Sequence, residues 1–153
     1  MPERLRRLEE TFQRFPIYYV TACTNERQRI LNNDDVHSRL VEFGKEGESR
    51  GAWLGAYVLM PDHLHAFVAL DDERMELSNW IKSLKNALSS TLRLQAISSP
   101  HWQKGFFDHV LRSGDSYSDY VRENPVRVGL ASDWTKWPFT GEVFDLEFRD
   151  DRV

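Results

Sequence analysis

A chain of 153 residues, 41% hydrophobic and 29% charged, is sized for one domain with a proper core and has the composition of an ordinary soluble globular protein. Its formal net charge of -4 excludes a protein that holds nucleic acid by bulk positive charge, and no run of eighteen apolar residues is present to span a bilayer. The single cysteine, Cys23, excludes a disulfide framework or a Cys-rich zinc module. The first residues, Met1-Pro2-Glu3-Arg4-Leu5-Arg6-Arg7, are not followed by the apolar core of a signal peptide, so a reducing cytoplasm is the expected location.

Residues 2–15 read as a short polar helix or arm, with Leu5, Leu8 and Phe12 at helical spacing and Pro16 as its stop. The β-branched and aromatic run 17–24 predicts a first strand. Asn32-Asn33-Asp34-Asp35 supplies caps for a helix over 35–45, with Val36, Leu40, Val41 and Phe43 facing inward. Gly44 and Gly47 then loosen the chain before residues 53–70, two apolar runs around a turn at Pro61-Asp62 that predict an antiparallel hairpin. Asp71-Asp72-Glu73-Arg74 is a polar turn. A longer helix over 78–95 carries Trp80, Ile81, Leu84, Ala87, Leu88 and Leu92 on one stripe, and Ser98-Ser99-Pro100 closes it. Residues 106–111 predict a fourth strand, and Gly114-Asp115-Ser116 turns into a helix holding Tyr117, Tyr120 and Val121.

Strand, helix, hairpin, helix, strand, helix is the order of an α+β ferredoxin-like fold: a four-stranded antiparallel sheet with helices on one face. The other face is expected to be open to a partner. The chain divides into one domain over 1–136 and an acidic tail over 137–153, where two arginines stand against five carboxylates. From Asn79 to Lys136 the balance is reversed, with eight cationic side chains against five acidic ones. Lys82, Lys85, Arg93, Arg122 and Arg127 are therefore candidates for phosphate contacts, exposed solubilising charge being the alternative for each.

Two constellations carry chemistry. Successive strand residues alternate faces, so His63 and His65 share one face while Leu64 takes the other, and both imidazoles can reach one small cation. They serve either as half a metal site or as half-buried, hydrogen-bonded strand histidines. Tyr120 and Asn124 are four apart and share a face if that segment is helical; the alternative is a packed tyrosine and an asparagine that caps a helix begun by Pro125. Trp53, Trp102, Phe106 and Phe107 could stack bases, with core packing expected for most of them. His37 and His101 are expected at the surface, and Asp108 and His109 have no assigned role.

Met60-Pro61-Asp62-His63-Leu64-His65, together with Tyr120-Val121-Arg122-Glu123-Asn124-Pro125-Val126-Arg127-Val128-Gly129-Leu130, resembles the REP-associated tyrosine transposases, members of the single-tyrosine HUH group. The resemblance spans residues 17–130 and includes Trp102-Gln103-Lys104-Gly105-Phe106-Phe107-Asp108-His109 between the two motifs. It implies that His63 and His65 bind magnesium or manganese, that Tyr120 is the nucleophile, and that Asn124 supplies a further ligand. It also implies cleavage and rejoining of single-stranded DNA beside hairpins through a 5'-phosphotyrosine; the lack of a long apolar run is the separate ground for expecting no membrane partner. A homodimer and a monomer both stay open. The alternative function is a non-catalytic, domesticated hairpin-binding protein on the same fold.

Overall fold

The computed structural model describes residues 15–111 and 136–146. Its elements run β1 (Ile17–Cys23), α1 (Asp34–Glu46), β2 (Ala52–Leu59), β3 (His63–Leu70), α2 (Leu77–Leu94), β4 (Phe107–Val110) and β5 (Thr140–Glu142). The sheet order is β4-β1-β3-β2-β5, antiparallel throughout. Its first four strands have the ferredoxin-like order 4-1-3-2 expected from the sequence, and β5 extends the β2 edge. The expected helix over residues 2–15 and the helix bearing Tyr117, Tyr120 and Asn124 lie outside the described residues, as do Arg122 and Arg127.

The helices form because local signals and packing agree. Asn33 caps α1, its Oδ1 accepting from the Val36 N–H at 3.0 Å, and Asp34 and Asp35 complement the positive end of the helix dipole. The α2 stripe of Trp80, Ile81, Leu84, Leu88 and Leu92 is buried with Val20, Ala22, Leu64, Ala66 and Val68, which fixes the helix layer on the Leu64 face of the sheet. Burying each of these larger side chains contributes about 1.5–3 kcal/mol. No helix among the described residues is long and apolar enough to cross a membrane.

The second face departs from the expectation of an open surface. Ile17, Trp53, Val58, Phe67 and Ala69 form a smaller core there with Trp137 and Leu146, which come from the stretch read as an acidic tail. Trp137 Nε1 donates to the Leu59 carbonyl at 3.0 Å, and the Phe144 N–H donates to the Leu54 carbonyl at 2.9 Å. Gly55 sits at an irregularity in the β2–β3 pairing, where a Cβ would meet Leu146 Cδ1 at 2.5 Å; only glycine lets the segment lie this close. Averaged charge concealed the segment's Trp137, Phe139, Phe144 and Leu146, which are interspersed with Glu142 and Asp145. With both faces covered, all of β2 is buried, and the exposed part of this face lies toward β1 and β4.

His101 is also corrected: it is 3% exposed rather than at the surface. Its Nε2 donates to the Ile97 carbonyl at 2.9 Å, while Nδ1 meets Ser89 Oγ at 2.8 Å, and that hydroxyl also accepts from Trp102 Nε1 at 3.0 Å. A histidine satisfied at both nitrogens is inexpensive to bury, and the neighbouring Trp102 packs against the main core.

Candidate active site

The turn between β2 and β3 is held from outside. Thr24 donates its backbone N–H (3.0 Å) and its hydroxyl (3.1 Å) to the Asp62 carbonyl, and the Ile30 and Leu31 N–H groups both point at the Pro61 carbonyl, at 2.9 and 3.0 Å. Residues 24–31 thus clamp the turn from which His63 emerges. Within that segment Glu26 and Arg27 hold φ angles of 55° and 56°, a left-handed conformation that costs roughly 1–2 kcal/mol per non-glycine residue. That bend returns the Arg27 side chain to Asp62, Nε to Oδ2 at 2.9 Å.

His63 and His65 share a face as expected, their ring centroids 4.8 Å apart and their planes 81° apart. Asp62 Oδ1 stands 2.8 Å from His63 Nδ1, which assigns the proton to Nδ1 and leaves the lone pair on Nε2. Arg27 Nη2 lies 3.4 Å from the same Nδ1, so the guanidinium closes the group electrostatically. Burial would raise the Asp62 carboxyl, but hydrogen bonds from Arg27 and His63 and their charges outweigh it and hold the group down at about 2. His65 Nδ1 meets two hydroxyls, Thr21 Oγ1 at 2.8 Å and Tyr19 Oη at 2.9 Å, both from β1 through the Thr21↔His65 register. Either hydroxyl can accept an Nδ1 proton, the tautomer that presents Nε2 as a ligand atom.

The donor set therefore fits half of a divalent-metal site. Both imidazoles are oriented through Nδ1, the outer-shell arrangement typical of metal-ligating histidines. Among the described residues no cluster of three or more His, Cys, Asp and Glu side chains is arranged to hold a metal. Sequence reasoning missed Asp62, Arg27, Thr21 and Tyr19. Asp62 was legible as the neighbour of His63 in the turn, whereas the other three reach the site only through strand register and the left-handed bend.

A sequence model of the family described as "Transposase IS200 like" matches residues 16–123. The chain belongs to the IS200-like transposase family. This transposase is 28% identical over 126 residues to the REP-associated tyrosine transposase of Escherichia coli K12, covering 80% of this chain and 73% of that one. A Haemophilus influenzae Rd protein assigned to the same REP-associated group is 22% identical over 149 residues, covering 89% of this chain and 85% of its own. Among solved structures, a REP-associated tyrosine transposase bound to a REP hairpin has the same fold, with a TM-score of 0.67, 21% identity, and coverage of 82% of this chain and 75% of that one.

The transposase distributes its described candidate cations away from the imidazoles. Lys82, Lys85 and Arg93 all lie on α2, in the layer behind the sheet. Lys82 and Arg93 are exposed, and Arg93 Nη2 contacts Ser90 Oγ at 3.3 Å. Lys85 is half-buried and donates to the Gln103 and Gly105 carbonyls at 3.0 and 2.6 Å, so it staples the approach to β4; burial lowers its pKa against a smaller opposing effect of Cys23. Trp53 is buried and Trp102 hydrogen-bonded inside, as expected for core aromatics, but Phe107 is 71% exposed.

Proposed function

We propose that this transposase cleaves and rejoins single-stranded DNA beside hairpins through a 5'-phosphotyrosine on Tyr120, using magnesium or manganese held by His63, His65 and Asn124. The observation that carries the reading is the orientation of the imidazole pair: the Asp62 carboxylate takes the Nδ1 proton of His63 and leaves its Nε2 lone pair free, and the Thr21 and Tyr19 hydroxyls can accept an Nδ1 proton from His65, the tautomer with the same free Nε2. The solved relative bound to a REP hairpin supports the choice of substrate.

The bound divalent ion would supply charge neutralisation at a non-bridging phosphate oxygen. The chain's own contribution is positioning and nucleophilicity. The Tyr120 hydroxyl, ordinarily with a pKa near 10, loses its proton as it attacks phosphorus in line. A Tyr–O–P bond forms, the bond to the 3' oxygen breaks, and that oxygen leaves as a 3'-hydroxyl. Because the phosphodiester energy is retained in the linkage, another 3'-hydroxyl can reverse the step without ATP. Arg122 and Arg127, which follow Tyr120 closely in sequence, and Lys82, Lys85 and Arg93 on α2, are the proposed phosphate contacts; neutralising one true contact lowers the salt slope of DNA binding by about one unit. Lys85 takes part only if it releases its two carbonyls.

Incubating the protein with hairpin-bearing single-stranded DNA and manganese tests the proposal. A protein–DNA adduct that survives denaturing electrophoresis, and is lost in Tyr120→Phe and in His63→Ala, is the expected result. Hairpin binding without any adduct in either metal would replace it with the passive, domesticated binder.

A further inference from the structure

Among the described residues, Phe107 is one of three large apolar side chains left exposed, with Leu94 and Val110. It opens β4, it is 71% exposed, and it pairs with Thr21, which pairs in turn with His65. Directly opposed residues in antiparallel strands point to the same face, so Phe107, Thr21 and His65 form one row across the sheet on the imidazole side. With strands about 4.8 Å apart, the Phe107 and His65 backbones lie roughly 10 Å from each other. Thr21 fills the step between them, its hydroxyl 2.8 Å from His65 Nδ1.

From this row we infer that Phe107 is a stacking platform for a nucleobase of the single-stranded DNA next to the scissile phosphate. The inference rests on the proposed DNA chemistry at His63 and His65, and it adds the residue that holds the flanking strand. Aromatic side chains on a sheet face bind single strands in this way because every base offers a π-face, whatever its identity.

Isolated exposed hydrophobic residues are common and need no function, so position has to carry the argument. Among the described residues, the other large exposed apolar side chains differ from Phe107 in this respect: Leu94 ends α2, and Val110 pairs with Tyr18 and therefore points to the opposite face. Phe107 and Val110 thus do not combine into one apolar patch that a second copy would cover. The platform is also held at its base. Gln103 N–H donates to the Cys23 carbonyl at 3.0 Å, and Lys85 Nζ holds the Gln103 and Gly105 carbonyls, so the strand enters the sheet at a fixed place. A preset aromatic loses little freedom when a base lands on it.

The test compares two DNA hairpins, one with a short single-stranded flank containing 2-aminopurine and one without a flank, binding to wild type, Phe107→Ala and Phe107→Trp in the absence of divalent metal. The expected result is that Phe107→Ala binds the flanked hairpin about 5- to 150-fold more weakly than wild type, the range set by one lost base stack, while its affinity for the unflanked hairpin is unchanged. Phe107→Trp should retain affinity, and the 2-aminopurine emission should be quenched by wild type and Phe107→Trp but not by Phe107→Ala. Equal binding of the flanked hairpin by Phe107→Ala and wild type overturns the inference, as does an equal loss on both hairpins. A change from dimer to monomer in Phe107→Ala with flank affinity intact would make the residue an interface between copies and overturn it too. A flank-specific loss in a protein that forms no manganese-dependent adduct would keep the platform and remove the cleavage proposal. A wild type that binds neither DNA would remove both.

Discussion

Asp62 Oδ1 lies 2.8 Å from His63 Nδ1, and the other oxygen of the same carboxylate receives Arg27 Nε at 2.9 Å. One aspartate thus fixes the tautomer of the first imidazole while an arginine keeps that aspartate ionised. Asp62→Asn preserves the shape but replaces an anionic acceptor with an amide that can present either end. Manganese affinity, measured by calorimetry on the apoprotein, should fall about 10- to 100-fold, the usual cost of losing an outer-shell partner. An affinity within twofold of wild type would sink the positioning role.

Two hydroxyls converge on His65, and each can orient Nδ1 when the other is missing. Thr21→Val and Tyr19→Phe should therefore each weaken manganese binding by about twofold or less, whereas the double variant should lose about tenfold or more, well beyond the product of the two single losses. Titration of the four proteins in parallel reads the coupling. Strictly additive losses would mean that the two hydroxyls act separately.

His37 Nε2 stands 2.6 Å from the Tyr57 hydroxyl. Burial pushes the His37 pKa below its ordinary value, partly opposed by Asp34, and burial pushes the Tyr57 phenol up to about 12, so it stays neutral. The folded state then takes up a proton less readily than the unfolded chain. The penalty is absent well above pH 6.5 and develops as pH falls through 6.5. Denaturant midpoints followed from pH 8 to pH 5.5 should drop more for wild type than for His37→Gln, and parallel curves would contradict the assignment.

Leu146 is fully buried against Gly55 and the second core. Leu146→Ala should lower unfolding stability by about 2–5 kcal/mol, because the cavity it leaves is lined by rigid strands. A loss below that range for Leu146→Ala would mean that the segment over 140–146 is an appendage and no part of the fold.

Much of this protein was legible in one dimension. The alternation His63-Leu64-His65 determined that both imidazoles share a face, since a strand has no other way to arrange three consecutive side chains. The Asn33 cap, the α2 stripe and the Pro61-Asp62 turn are local signals that tertiary contacts reinforced, so β1 to β4, α1 and α2 stand within a residue or two of their predicted spans, whereas β5 was not foreseen. What surrounds the imidazoles was decided by tertiary structure alone. Arg27 reaches Asp62 through a left-handed bend, Thr21 reaches His65 through strand register, and Phe107 joins the same row across a gap of more than eighty residues in the chain. The same holds for His101 and Leu146, whose composition suggested surface and tail. Periodicity reports which side of its own element a residue occupies, but the partner that covers or meets that side is set by strand order and loop closure, which are properties of the folded sheet.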